Sequence, residues 1–134
     1  MKKMISVEPC KCVGGVAFGM DRELVRKEFG TVVREFQKTK LSRNTTDDFG
    51  FAHVYYNEAN ECVAVELFDD CVVTVGGDCL LPCDQVSFNS WLKERDAQAD
   101  IQDGEATSVS LSIGATATNG KVESILFGAR GYYG

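Results

Sequence analysis

The stretch FAHVYYNEANECVAVELFDDCVVTV, residues 51–75, decides the predicted fold. It holds three segments rich in valine, aromatic residues and cysteine, residues 51–56, 62–68 and 71–75, and this composition favours β-strands. A polar loop, residues 57–60, separates the first two segments, and Asp69-Asp70 separates the second from the third. Short polar connections join neighbouring antiparallel strands, so the stretch predicts three consecutive strands of one sheet.

The loop length predicts how the first two strands pair and which side chains share a face. A four-residue loop sets Tyr56 opposite Glu61 and Val54 opposite Val63, and side chains alternate across a strand. One face of the hairpin is then apolar, whereas the other mixes aromatic rings with a carboxylate and is either half covered or a contact surface. The predicted core face carries Val54, Tyr56, Val63, Val65 and Leu67, and the opposite face carries Phe51, His53, Tyr55, Cys62, Ala64, Glu66 and Phe68.

Helix signals flank this stretch on both sides. Asp21 is a favourable N-cap and Gly30 a favourable C-terminal residue, which predicts a first helix between them. Asp84 can cap a second helix from Gln85 to about Arg95, in which the tryptophan at position 91 anchors an apolar face.

The last third of the chain predicts a second hairpin. Asn119-Gly120 is the typical dipeptide of a two-residue hairpin turn, and counting outward from it places Ala117 opposite Val122 and Ile113 opposite Leu126 on the apolar side. The order of elements is then helix, three strands, helix, two strands. We therefore expect one α+β domain over residues 1–134, in which two helices cover one side of an antiparallel sheet of about five strands.

Composition and charge narrow the class of partner. The chain has 134 residues, is 44% hydrophobic and 25% charged, and has a net charge of −6, as expected for a folded protein. Residues 1–43 carry +5, residues 44–105 carry −12, and no basic residue occurs between Asn44 and Leu92. Such an acidic middle argues against a nucleic-acid partner and favours a basic protein, unless it serves only solubility.

Two further features predict the compartment. No apolar run approaches the roughly 20 residues that span a bilayer, and the first nine residues are too polar for a signal peptide. We expect a cytoplasmic protein without membrane contact, in which the six cysteines are reduced thiols.

Candidate chemistry is sparse. His53 lies diagonal to Cys62 in the predicted hairpin, with Glu66 further along the same face, so a small enzyme or ligand-binding cleft that uses these three side chains is the alternative function. The pairs Cys10-x-Cys12 and Cys79-x-x-x-Cys83 supply four thiols, but their spacing differs from that of common zinc sites. The sequence therefore predicts no metal and no cofactor.

Residues 14–30, GGVAFGMDRELVRKEFG, resemble a recurring opening of small bacterial domains: a Gly-Met, a capped helix and a closing glycine. Together with the next strands along the chain, this opening is similar to the α+β domains of outer-membrane assembly lipoproteins, of β-lactamase inhibitor proteins and of toxin-immunity proteins. The lipoprotein cysteine is missing. The resemblance implies a platform that binds proteins and catalyses nothing; Gly19, Asp21 and Gly30 match as structural positions only, and no functional residue is carried over.

The function we expect is therefore that of an immunity protein, which neutralises a basic, nuclease-like toxin by covering its active site with an acidic surface. The sequence does not distinguish this function from that of a purely structural or assembly component. It indicates neither the identity of the partner nor the oligomeric state. The predicted contact residues are Asp47, Asp48, Tyr55, Glu58, Glu61, Glu66, Phe68, Asp69 and Asp70.

Overall fold

The computed structural model describes residues 2–134, which form thirteen β-strands and two short helices. The helices are α1 (Arg22–Phe29) and α2 (Gln85–Arg95). The strands are β1 (Lys3–Glu8), β2 (Cys12–Val13), β3 (Val16–Ala17), β4 (Arg34–Phe36), β5 (Thr46–Asp48), β6 (Ala52–Tyr56), β7 (Cys62–Phe68), β8 (Cys71–Val75), β9 (Asp78–Leu81), β10 (Asp100–Gln102), β11 (Glu105–Ser108), β12 (Ile113–Thr118) and β13 (Lys121–Gly128).

The strands form two sheets. The small sheet has the order β3-β2-β1-β8-β9 and the large sheet the order β10-β11-β12-β13-β7-β6-β5-β4. Strands β1 and β8 run parallel, and the other paired strands run antiparallel. Both sheets direct apolar side chains into one core, which includes Val73 of the small sheet and Val65 and Phe127 of the large one.

The predicted α+β class, with about five strands under two helices, is wrong, because the molecule is mainly β-structure. Two physical reasons account for the error. Seven of the strands have only two to four residues, too few to show the alternation that marks a strand. In addition, β8 does not continue the antiparallel hairpin after Asp69-Asp70, but leaves it to pair with β1 in the other sheet.

Both predicted helices are confirmed, with their caps. The Asp21 carboxylate accepts a hydrogen bond from the backbone N–H of Glu23 at 3.0 Å, and Gly30 follows the last turn with a φ of 99°. The Asp84 carboxylate accepts the backbone N–H of Ser87 at 3.0 Å, and Trp91 of α2 is buried in the core. In residues 2–134, no helix has the length and apolar character needed to cross a membrane.

The predicted pairing of the first hairpin is wrong for two reasons: the loop is one residue longer than predicted, since it includes Glu61, and β7 contains a bulge. Tyr56 pairs with Cys62 and Tyr55 with Ala64, so that Val63 is the extra residue. Side chains alternate between the two faces of a strand, and one extra residue breaks this alternation. The residues before the bulge therefore point to the faces opposite to those predicted from the residues after it. Cys62 therefore lies in the core, whereas Val63 packs on the opposite side of the sheet.

A bulge also shifts the second hairpin. The pairing of Ala117 with Val122 beside the turn is as predicted, but the register then changes between Thr116 and Ala117. Ile113 faces Phe127 instead of Leu126. Leu126 therefore does not share the core face but lies on the other side of the large sheet.

Candidate functional site

The outer face of the large sheet, turned away from the core, carries the candidate site. The strand register aligns His53 of β6 with Glu66 of β7, and Glu66 with Leu126 of β13. Tyr55 and Ala64 form the neighbouring pair on the same face. Polar, aromatic and aliphatic side chains therefore meet on one surface that spans the middle of the sheet.

The C-terminal tyrosines cover part of this face. Tyr132 and Tyr133 pack against Tyr55, Ala64 and Leu126, and their rings meet edge to face with centroids 5.2 Å apart.

Two glycines make room for these rings. A Cβ atom at Gly128 would lie 2.6 Å from the Cβ of Tyr132, and one at Gly114 would collide with the Tyr133 hydroxyl. The two tyrosines divide the exposed surface into two recesses, because Tyr132 lines one and Tyr133 lines the other.

The first recess, which we call the acidic recess, has a volume of about 280 Å³. Glu66 accepts hydrogen bonds there from the hydroxyls of Tyr55 at 2.7 Å and Ser124 at 3.3 Å. Within residues 2–134, neither Glu66 nor Glu105 forms an ion pair. The residues that line the recess include Glu66, Glu105, Thr107, Thr116, Ser124 and Tyr133.

Tyr55 fixes the position of one of these carboxylates. Burial of the ring, and then the hydrogen bond and charge of Glu66, raise the pKa of Tyr55 well above its usual value. The phenol therefore remains a neutral donor at physiological pH and holds Glu66 in place. A carboxylate that is positioned by neutral hydroxyls keeps its charge available for a cation from outside.

The second recess, which we call the cationic recess, has a volume of about 330 Å³ and lies beside Tyr132. The ammonium group of Lys38 lies 4.3 Å from the centroid of the Tyr55 ring, and Arg43 reaches across to Glu58 at 2.8 Å. The residues that line the recess include Lys38, Arg43, Thr46, Tyr55, Val63 and Tyr132.

An aromatic strip occupies another part of the outer face. The His53 ring stands edge-on between Phe36 and Phe68, with centroid distances of 5.1 and 4.7 Å. Its Nε2 lies 3.6 Å from a carboxylate oxygen of Asp48, which also faces Arg34 at 3.8 Å. The histidine ring is therefore packed between two aromatic rings, and the carboxylate beside it already faces Arg34.

On the inner side of the same sheet lies the Asp47 cluster, formed by Arg22, Arg26, Asp47 and Tyr56. Asp47 is fully buried and accepts five hydrogen bonds, two from each arginine and one from the Tyr56 hydroxyl. Burial by itself raises the pKa of Asp47, but the hydrogen bonds from Arg26, Arg22 and Tyr56 outweigh it and lower the pKa to about 2. The cluster ties α1 to β5 and β6.

The predicted contact residues do not form one surface. Four of them, Asp48, Tyr55, Glu66 and Phe68, share the outer face. Glu58 and Glu61 lie in the loop before β7, and Asp69 and Asp70 lie in the turn after it, at opposite ends of a seven-residue strand. Asp47 lies in the interior.

Sequence reasoning missed Glu105 and Tyr133, which complete the acidic recess. Glu105 begins a four-residue strand in a stretch whose composition is typical of an acidic loop, and Tyr133 lies beyond the last strand. Only the antiparallel order β11-β12-β13-β7 brings Glu105 to the same face as Glu66. No local pattern in the sequence signals that proximity.

The alternative site of His53, Cys62 and Glu66 is not assembled. The bulge places Cys62 in the core, on the opposite side of the sheet from the other two residues, and burial raises the pKa of its thiol to about 12. All six cysteines are unpaired, and no group of three or more metal-ligating side chains occurs in the described part of the chain.

Comparisons of the chain with models of protein families, with curated proteins and with solved structures found no significant match. The similarity to inhibitor and immunity domains therefore stays a prediction. The candidate site is defined by its own geometry, a sheet face with two recesses of opposite charge.

Proposed function

We propose that this protein binds another protein without catalysing a reaction, and that the acidic recess receives a lysine or arginine side chain of the partner. The observation that carries the proposal is the pair of carboxylates, Glu66 and Glu105, that line one recess without a cation of the described chain to neutralise them. A lysine or arginine side chain of a partner that enters the recess is attracted by both negative charges.

The contrast with three other carboxylates of the predicted contact set supports this choice. Asp47 is paired with two arginines, Asp48 faces Arg34, and Glu58 is bound by Arg43. These three already have a cationic partner within the chain, and a new cation would have to compete for them. Tyr133 and Leu126 also line the recess and offer apolar contact to the stem of a long basic side chain.

The kind of partner is a protein with a basic functional surface, and a nuclease-like toxin inhibited by this protein is the specific case. The support for it is the net charge of −6, which favours fast association with a basic surface. Inhibition then consists of covering the basic active site, so the complex needs no chemical step.

The test begins with capture of the partner on the immobilised protein from lysate of the source cells, then its identification and purification. Calorimetry compares the wild type with the double variant Glu66→Gln/Glu105→Gln. We expect the dissociation constant to rise by at least about tenfold, because a charge-assisted hydrogen bond inside an interface is lost.

The matched control is Asp69→Asn/Asp70→Asn, which removes the same charge from the exposed turn after β7. This variant should change the association rate more than the dissociation rate and raise the dissociation constant by less than about threefold. If the two double variants weaken binding equally, or if neither does, the acidic recess is not the contact.

A growth assay tests separately whether this protein inhibits a toxin. Cells that express the captured partner should stop growing, and co-expression of the wild-type protein should restore growth, whereas the Glu66→Gln/Glu105→Gln variant should not. A partner that binds through the recess but is not toxic would retain the binding proposal and contradict inhibition.

A further inference from the structure

We propose that the cationic recess is a second binding site, which takes a small anion, a phosphate monoester or a carboxylate, attached to a compact apolar group. The volume of about 330 Å³ lies at the lower end of the roughly 300–1,000 Å³ that small-molecule sites occupy. This site is separate from the acidic recess and does not depend on the partner proposed above.

Tertiary folding concentrates positive charge at this point. The chain has no basic residue between Asn44 and Leu92, yet the segment before it brings Lys38 and Arg43 over the central hairpin. The ammonium group of Lys38 lies over the Tyr55 ring and forms no ion pair within residues 2–134. An anion in the recess would therefore meet a cation that has no opposing carboxylate.

A mostly buried threonine adds a hydroxyl group to the wall of the recess. Thr46 is only 2% exposed and lines the recess, and its side-chain hydroxyl makes no hydrogen bond with the rest of the described chain. Within residues 2–134, the one side-chain polar atom that is fully buried without a partner is Ser112 Oγ, so the Thr46 hydroxyl still reaches the solvent of the recess. A ligand oxygen in the recess can replace that solvent and accept a hydrogen bond from Thr46.

The remaining wall determines the shape of the ligand. Val63 and the ring of Tyr132 form an apolar wall beside the Tyr55 ring, over which Lys38 lies. Inorganic phosphate alone leaves that wall uncovered, whereas an anion with a small ring covers it. The recess therefore fits an amphipathic anion better than a bare one.

At the rim of the recess, the carboxylate of Glu58 competes with an incoming anion for Arg43. Its guanidinium group pairs with Glu58 at 2.8 Å, and both side chains are mostly exposed. Removing the competing carboxylate by Glu58→Gln should free Arg43 for the anion and tighten binding by about twofold to fivefold. A variant that gains affinity is informative, because misfolding does not produce such a gain.

The experiment is calorimetry on the full chain at low ionic strength with four probes: phenyl phosphate, benzoate, inorganic phosphate and benzyl alcohol. We expect saturable binding of at least one of the two aromatic anions, weaker binding of inorganic phosphate and none of the neutral alcohol. The stronger of the two aromatic anions identifies the headgroup, phosphate or carboxylate.

Three variants locate the site. Lys38→Gln should weaken binding by about tenfold, and Thr46→Val should weaken it by a smaller factor, since one hydrogen bond to a charged group is lost in each. The matched control is Lys40→Gln, because Lys40 is exposed in the same segment and does not line the recess. Thermal unfolding of each variant confirms that it is folded.

Two results would overturn the proposal. One is the absence of saturable binding for both aromatic anions at millimolar concentration. The other is an equal loss of affinity in Lys38→Gln and Lys40→Gln, which would show only a general response to net charge.

Discussion

Asp47 and Glu66 lie on strands of the same sheet, but the groups that donate hydrogen bonds to their carboxylates differ. Asp47 points to the inner side and accepts five hydrogen bonds, four of them from arginines. Glu66 points to the outer side and accepts two, both from neutral hydroxyls. The first carboxylate is neutralised inside the chain, and the second still carries its charge to the surface.

The contrast between these two residues shows that the number of carboxylates in a segment is a poor guide to a binding surface. Basic residues from the first third of the chain fold onto several of the acidic residues and neutralise them, as with Arg34 at Asp48. Only the carboxylates that no cation reaches stay available. A buried charge network of this kind holds the fold together, and a positioned but unpaired carboxylate is free for a partner.

Breaking the Asp47 cluster should have the largest effect. Asp47→Asn leaves the buried Arg22 without its closest counter-charge, and removal of one member of a buried ion pair costs about 3–5 kcal/mol. Denaturant unfolding should therefore show a much lower free energy of unfolding than in the wild type. A loss below about 1 kcal/mol would mean that the cluster does not stabilise the fold.

The same cluster predicts how stability depends on pH. Because the pKa of Asp47 falls from 3.8 to about 2 on folding, the stability that its ionised form contributes is complete above about pH 4 and is lost as the pH falls toward 2. That contribution is about 2 kcal/mol. Acid titration of the free energy of unfolding should show this decrease in the wild type and a shallower one in Asp47→Asn.

The C-terminal tyrosines offer an intermediate test on the outer face. Gly128→Ala places a Cβ atom 2.6 Å from the Cβ of Tyr132, close to the backbone, so the tail has to move at a cost of about 1–3 kcal/mol. Gly114→Ala meets only the hydroxyl end of Tyr133, which can swing aside, and should cost less. Equal stability of the two variants, measured by thermal unfolding, would contradict this packing.

Neutralising the acidic recess should have the smallest effect on stability. Glu66→Gln/Glu105→Gln removes two charges that have no cationic partner in the described chain, and the glutamine at position 66 can still accept the Tyr55 hydrogen bond. The free energy of unfolding should change by less than about 0.5 kcal/mol. A large destabilisation would assign Glu66 a structural role like that of Asp47.

Local chemistry in the sequence predicts some elements correctly. Both helices begin at their capping aspartates and α1 ends at Gly30, because a capping carboxylate or a glycine with positive φ acts within a few residues. The strands β7 and β8 also coincide with their valine-rich segments. As predicted, the aromatic Phe68 and the carboxylate Glu66 share a face with Tyr55.

The errors come from single inserted residues and from distant pairings. The bulge at Val63 moves Cys62 into the core, and the bulge beside Ala117 moves Leu126 to the outer face. Neither position carries a glycine or proline that would mark it. The parallel pairing of β1 with β8 joins segments that are far apart in sequence, and nothing in either segment specifies the other.

The sequence by itself determined the two capped helices, the strand-forming segments and the excess of negative charge in residues 44–105, since each depends on neighbouring residues or on composition alone. Only the tertiary structure decided which carboxylates meet arginines and which remain unpaired. It also brought Glu105 to Glu66, and Lys38 to Thr46, from separate strands and loops. The physical reason is that charge pairing is a property of distance in the folded chain, and that distance is set by sheet order and strand register.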